Sequence, residues 1–194
     1  MNDLCTEIGW RSLNKHGEEL CGDHVEIVEQ GESSTVAVLA DGLGSGVKAC
    51  ILSTLTAKII STMMAQSMSV EECVSTVAAT LPVCAERSIA YSTFTILRIV
   101  DGKEAEIIQY DNPHVILLRD GKHVEFPKTE LHIGGKKIYQ SRVIICENDV
   151  FIAMSDGAIH AGVGMTLNFG WQREDIIRYM EDFYDASYTA KTLS

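Results

Sequence analysis

The chain has 194 residues, 46% of them hydrophobic and 22% charged, and its 16 Lys+Arg against 27 Asp+Glu leave a net charge of −11. That composition supports a sizeable core and excludes wholesale disorder. The acidic balance argues against nucleic-acid binding, which needs basic patches, and against docking on anionic membranes.

In chain order, residues 24–29 alternate polar and apolar, as a half-buried strand does, and 35–40 form a continuous apolar run that reads as a fully buried strand. The run stops at a glycine-rich loop, Asp41-Gly42-Leu43-Gly44-Ser45-Gly46. Val47 to Ala65 reads as a long helix, with Val47, Ile51, Leu55, Ile59 and Met63 recurring every four residues. Ser69-Val70-Glu71-Glu72 fits a capping box and opens a second helix to about residue 81. From Tyr91 to Met154 the period changes to two, with strands predicted at 92–99, 104–110, 114–119, 122–126, 138–146 and 149–154. A helix follows near 172–183, and Ser187 to Ser194 reads as the start of another. Strands dominate the middle and helices fall in two clusters, which predicts an α+β fold with antiparallel sheets, in one domain over residues 1–194.

No uninterrupted apolar run approaches the ~20 residues of a membrane span. Met1 to Glu7 carry neither a basic start nor an apolar core, so no signal peptide is expected and the reading is cytoplasmic. Six cysteines, at 5, 21, 50, 73, 84 and 146, form no Cys-x-x-Cys pair, and free, mostly buried thiols are expected.

The chemistry signal is a repeated arrangement. Val38-Leu39-Ala40-Asp41-Gly42 and Ile152-Ala153-Met154-Ser155-Asp156-Gly157 are both apolar strands ending in Asp-Gly, and a third aspartate, Asp23, follows Gly22. A carboxylate at the end of a buried strand is costly to desolvate unless paired or coordinated. Carboxylates and carbonyls without His or Cys select hard cations such as Mg²⁺ or Mn²⁺. Asp-Gly is also a common turn dipeptide, and Asp101-Gly102 and Asp120-Gly121 read as ordinary turns. A rival reading, Gly44-x-Gly46-x-x-Ala49 as a dinucleotide loop, lacks the acidic residue about twenty positions on, where Gln66 stands. Gly134-Gly135-Lys136-Lys137 resembles a phosphate loop only superficially. His24 and His160 read as surface and loop residues, Lys48 as either a phosphate contact or a solvated lysine. Met63, Met64 and Met68 read as packing, and Trp171 and Tyr179 as core or a partner face.

Cys21-Gly22-Asp23, Ala40-Asp41-Gly42-Leu43-Gly44-Ser45-Gly46-x-x-Ala49 and Ser155-Asp156-Gly157-x-x-His160-Ala161-Gly162 resemble the bacterial metal-dependent (PPM-type) serine/threonine protein phosphatases, in the branch of stage II sporulation protein E and RsbX. Tyr91 to Thr95 and Asp111-Asn112-Pro113 occupy the places of the family's central strand and its Gly-Asn-Pro-like turn. The resemblance implies a four-layer αββα sandwich of two mainly antiparallel sheets, with a dinuclear Mn²⁺ or Mg²⁺ centre between them. Asp41 would bridge both ions, the Gly42 carbonyl would bind one, Asp156 the other, and Asp23 would act at the first directly or through water. A metal-bridging hydroxide would attack phosphorus in line, without a phosphoenzyme. The implied substrate is phosphoserine or phosphothreonine on a regulatory protein, of the anti-sigma-factor-antagonist kind, in sporulation or stress signalling.

Two departures bear on that expectation. Leu43 stands where eukaryotic relatives carry a histidine, and the leaving-group acid is unassigned. The family also closes with a strand and an Asp-Asp that supplies a last metal ligand, and nothing after Ser187 fits. The expectation is therefore a domain truncated at its C-terminus, its last strand missing, with an exposed edge that favours a homodimer. Asp182 and Asp185 read as solvated helix residues rather than substitutes. The alternative function is a degenerate or truncated domain acting as a binding module, and after it a nucleotide-binding module.

Overall fold

The computed structural model describes residues 4–14, 16–80, 92–163 and 170–194. In chain order the elements are β1 (Asp23–Gln30), β2 (Ser34–Gly42), α1 (Gly46–Ala65), α2 (Val70–Thr80), β3 (Ser92–Val100) and β4 (Glu104–Tyr110). Then come β5 (Ile116–Arg119), β6 (Lys122–Val124), β7 (Thr129–Ile133), β8 (Lys136–Ile144) and β9 (Val150–Ile152). The last are α3 (Asp156–Ile159), α4 (Arg173–Phe183) and α5 (Ala190–Leu193). One antiparallel sheet has six strands in the order β1-β2-β3-β4-β8-β7, and the other has three in the order β6-β5-β9.

Strand alternation sorts the apolar residues into three cores and so stacks four layers, αββα. Val36, Val38, Phe94, Ile96 and Ile108 point from the six-stranded sheet onto Ile60, Met64, Val74 and Val77 of α1 and α2. The neighbouring residues Leu97 and Ile107 point the other way and meet Leu117, Val124 and Phe151 between the sheets. Ile116 and Leu118 leave the second sheet on its far face and pack on Ile177 and Met180 of α4. The predicted capping box forms: Ser69 N–H and its hydroxyl both donate to the Glu72 carboxylate, and Glu72 N–H donates back to Ser69 Oγ.

Only the second half of the period-four stripe of α1 meets the core, where Ile59 and Met63 pack partly buried. Val47, Ile51 and Leu55 are 63%, 53% and 47% exposed, whereas Ala49, Ser53, Ala57 and Ser61 are buried. The approach to β2 is close only near the start of the helix, where a Cβ on Gly42 would lie 2.0 Å from the Ala49 carbonyl oxygen; further along, Leu52, Ile60 and Met64 fill the buried face. By length and composition α1 is apolar enough to cross a membrane, but Lys48 and Lys58 interrupt its apolar run and its buried face, with Ala57, Ile60 and Met64, lies on the six-stranded sheet.

Two elements go beyond the sequence reading. β7 was not expected, and Gly134-Gly135 is the tight turn joining it to β8, with Ile133 opposite Lys136 and φ of +56° and +75°. Two consecutive positive φ angles define the hairpin turn that Gly-Gly favours, so the phosphate-loop likeness has no structural counterpart. The four-residue α3 was also not expected. The dinucleotide reading is overturned, because β2 pairs antiparallel with both β1 and β3, and among the described residues no parallel βαβ unit surrounds the glycine-rich loop. Tyr91 and Cys84 lie outside the described residues.

Candidate active site

The antiparallel register places Asp23 directly opposite Asp41, and Asp41 directly opposite Thr93. Residues paired in this way share a face, and the parity of Leu97 and Ile107 shows that this face looks into the space between the sheets. The row closes at Gly42, whose N–H donates to the Gly22 carbonyl at 3.1 Å. From the other sheet, β9 leads through Ser155 into α3, whose first residue is Asp156. Ser155 occupies the N-cap position but its side chain does not cap; its hydroxyl donates to Asp23 Oδ2 at 2.7 Å. The three aspartates singled out in the sequence are thus brought together from three separate stretches.

Electrostatics register that convergence. Burial first, then the charges of Asp23 and Asp156 and hydrogen bonding with both, push the Asp41 carboxyl from 3.8 up to about 8. A cation placed among these oxygens would reverse each of the charge effects. The donors are all oxygen, which fits a hard divalent ion. They gather through Asp41 rather than around a finished cage: among the described residues, no set of three or more His, Cys, Asp or Glu stands ready as a metal group.

A buried polar network underlies the row and was not foreseen from sequence. Thr93 Oγ1 donates to Asn112 Oδ1 at 2.6 Å, and Asn112 Nδ2 donates to Thr95 Oγ1 at 3.2 Å. The Gln109 amide donates to the Pro113 carbonyl at 2.8 Å and accepts from Val115 N–H at 3.2 Å. Together they clasp the crossing from β4 in one sheet to β5 in the other. The available signal was the Asp111-Asn112-Pro113 turn, whose first residue has a φ of +55°.

The remaining candidates stand elsewhere. His24 turns to the helix side of β1, 3.1 Å from Glu26, which also pairs with Lys58 of α1. His160 is exposed at the end of α3. Asp182 is exposed on α4, and Asp185 accepts from the N–H and hydroxyl of Ser187. Trp171 packs edge-on against Tyr179, which stacks on the exposed Phe183.

Residues 31–190 match the Stage II sporulation protein E (SpoIIE) family, and the chain belongs to that family. The fold is that of PP2C phosphatase domains. The phosphatase domain of SpoIIE from Bacillus subtilis, with a fragment of its regulatory domain, is similar at 20% identity and a TM-score of 0.77, covering 95% of this chain and 54% of that one. This chain therefore spans about half the length of that structure. RsbX in complex with magnesium is similar at 22% identity and a TM-score of 0.59, covering 94% of this chain and 88% of RsbX. The S. agalactiae serine/threonine phosphatase is similar at 16% identity and a TM-score of 0.60, covering 97% and 87%. No curated protein sequence matches the chain.

Proposed function

We propose that this chain is a metal-dependent protein serine/threonine phosphatase that hydrolyses phosphoserine or phosphothreonine on a regulatory protein. Family membership supports the reaction class, and the observation that carries the site is Asp41 flanked by Asp23 and Asp156 with its carboxyl raised to about 8. Asp41, Asp23, Asp156 and the Gly42 carbonyl would hold Mn²⁺ or Mg²⁺. When bound, such ions supply activation of the attacking water and charge offset at phosphorus.

The chain's own residues do the rest. Asp41 sits between the other two carboxylates, so that three oxygen-donor groups converge at one point between the sheets. Ser155 holds one oxygen of Asp23. Water adds to phosphorus as the bond to the serine or threonine oxygen breaks, giving the alcohol and inorganic phosphate. Leu43 has no proton to give that oxygen, so under this reading solvent supplies it. The stressosome and RsbX similarities support a phosphoprotein substrate in stress signalling, and we read that substrate as a regulatory protein of the anti-sigma-factor-antagonist kind.

The test is turnover of a phosphoserine peptide with Mn²⁺, with Mg²⁺ and after exhaustive EDTA treatment. Hydrolysis that needs either ion is expected. Hydrolysis that survives EDTA overturns the metal site, and none with either ion favours a binding module without turnover.

A further inference from the structure

Half-buried Glu18, in the stretch before β1, reaches the glycine-rich loop that joins Asp41 to α1. Ser45 Oγ donates to Glu18 Oε1 at 2.8 Å. The second carboxylate oxygen lies 2.8 Å from where a Cβ on Gly46 would stand, so the carboxylate rests against the backbone at the start of α1. Ser45 is the N-cap residue of α1, yet its side chain makes no capping bond, and the first turn of α1 has no acidic residue. A serine at this position ordinarily accepts from a backbone N–H of the first turn. Here it is a donor instead, and the negative group that favours a helix N-terminus comes from Glu18, 27 residues earlier. The same stretch packs on the loop at Gly22, where a Cβ would meet Ala49 at 3.4 Å and the Gly42 carbonyl oxygen at 3.7 Å.

We infer that Glu18 is a positioning residue for the divalent-cation site: through Ser45 it holds residues 42–46 in the shape that presents Asp41 and the Gly42 carbonyl together. The inference rests on the proposed metal reading for its consequence, but the clamp itself belongs to the metal-free chain. Two of the loop's residues, Gly44 and Gly46, have φ of +101° and +70°, so the loop has few intrinsic restraints on its shape. A carboxylate–hydroxyl bond from outside supplies one.

The experiment compares the parent with Glu18→Ala, Glu18→Gln, Ser45→Ala and the Glu18→Ala/Ser45→Ala double variant in two measurements. Amide hydrogen exchange in the metal-free protein should speed up about tenfold at residues 43–47 in Glu18→Ala and Ser45→Ala, and stay near parent elsewhere. Mn²⁺ affinity by calorimetry should fall in both, because the loop that presents Asp41 and the Gly42 carbonyl loses an outside restraint. The double variant should be no worse than either single, because both remove one bond. Glu18→Gln keeps an oxygen for the Ser45 hydroxyl and should recover most of the loss. Unchanged loop exchange in Glu18→Ala overturns the inference, as do Mn²⁺ losses that multiply in the double variant. If the parent binds no Mn²⁺ the metal reading fails, and loop exchange alone then decides whether Glu18 clamps the loop.

Discussion

Ser155 hydroxyl and Asp23 carboxylate meet at 2.7 Å although they stand 132 positions apart. The bond ties the loop after β9, in the three-stranded sheet, to the first residue of β1, in the six-stranded one. The two sides of the acidic cluster are therefore joined by a neutral donor, which adds no charge to a site already crowded with carboxylates.

Removing that donor should act on metal binding more than on folding. Ser155→Ala is expected to lower turnover about tenfold and raise the Mn²⁺ needed for half activation. Ser155→Thr keeps the hydroxyl and should stay close to the parent. The check is kcat against Mn²⁺ concentration for the three proteins; an unaltered metal dependence in Ser155→Ala refutes the role.

Asp41 should make the metal-free protein pH-sensitive. Its folded carboxyl titrates at about 8 against 3.8 ordinarily, so between those values the folded chain keeps a proton that the unfolded chain has lost. Its contribution is full below about pH 4 and is lost as pH rises through about 8. Thermal midpoints without metal are expected to fall over that window, and Asp41→Asn should flatten the fall while removing most turnover. Added Mn²⁺ competes with the proton, so its stabilisation should grow with pH. A pH-independent difference between parent and Asp41→Asn would contradict the clustering.

Not every Asp-Gly aspartate should matter. Asp101 sits in the turn after β3 with a φ of +51°, its N–H on the Ser33 carbonyl and its carboxylate on the Ser33 hydroxyl. It lies at the opposite end of β3 from Thr93, the residue facing Asp41. Asparagine tolerates that backbone region. Asp101→Asn is expected to keep turnover within about twofold of the parent, as surface changes away from a site do. A loss comparable to that of Asp41→Asn would mean that the two turns are not separable.

The thiols should be dispensable for turnover. Cys73 is fully buried in the α1–α2 core, and burial pushes its thiol up to about 11, so it stays protonated near neutrality. Cys73→Ser should lower the thermal midpoint, because a polar hydroxyl enters an apolar core at a cost of about 1–3 kcal/mol. Its kcat should hold below the new midpoint. Turnover abolished in a folded Cys73→Ser protein would point to thiol chemistry instead.

Much of the fold was legible because local patterns and burial agreed. The β1 and β2 runs, the Ser69–Glu72 box, β3, β4 and α4 follow from alternation and capping and form within a few residues of the expected bounds. Asp41 and Asp156 stood out for a physical reason, since a carboxylate that ends an apolar strand needs a partner, and Asp23 stood out beside Gly22 at the start of β1. β7 escaped because only five residues, Thr129–Ile133, precede its Gly-Gly turn, and a short half-exposed strand carries little hydrophobic signal.

Sequence alone determined which residues carry charge at strand ends, and so which carboxylates the proposed hard-cation, phosphoryl-type chemistry would use. Tertiary structure decided what each of those residues faces. Periodicity marked a stripe on α1 but could not say that only Ile59 and Met63 of it would meet the core, because that depends on how α1 lies on the six-stranded sheet. It could not show Ser155 reaching Asp23, Thr93 bonding Asn112 or Glu18 holding Ser45, since each pair is remote in the chain. Polar side chains at such positions look like ordinary caps and turns until the register of two sheets brings their partners within hydrogen-bond reach.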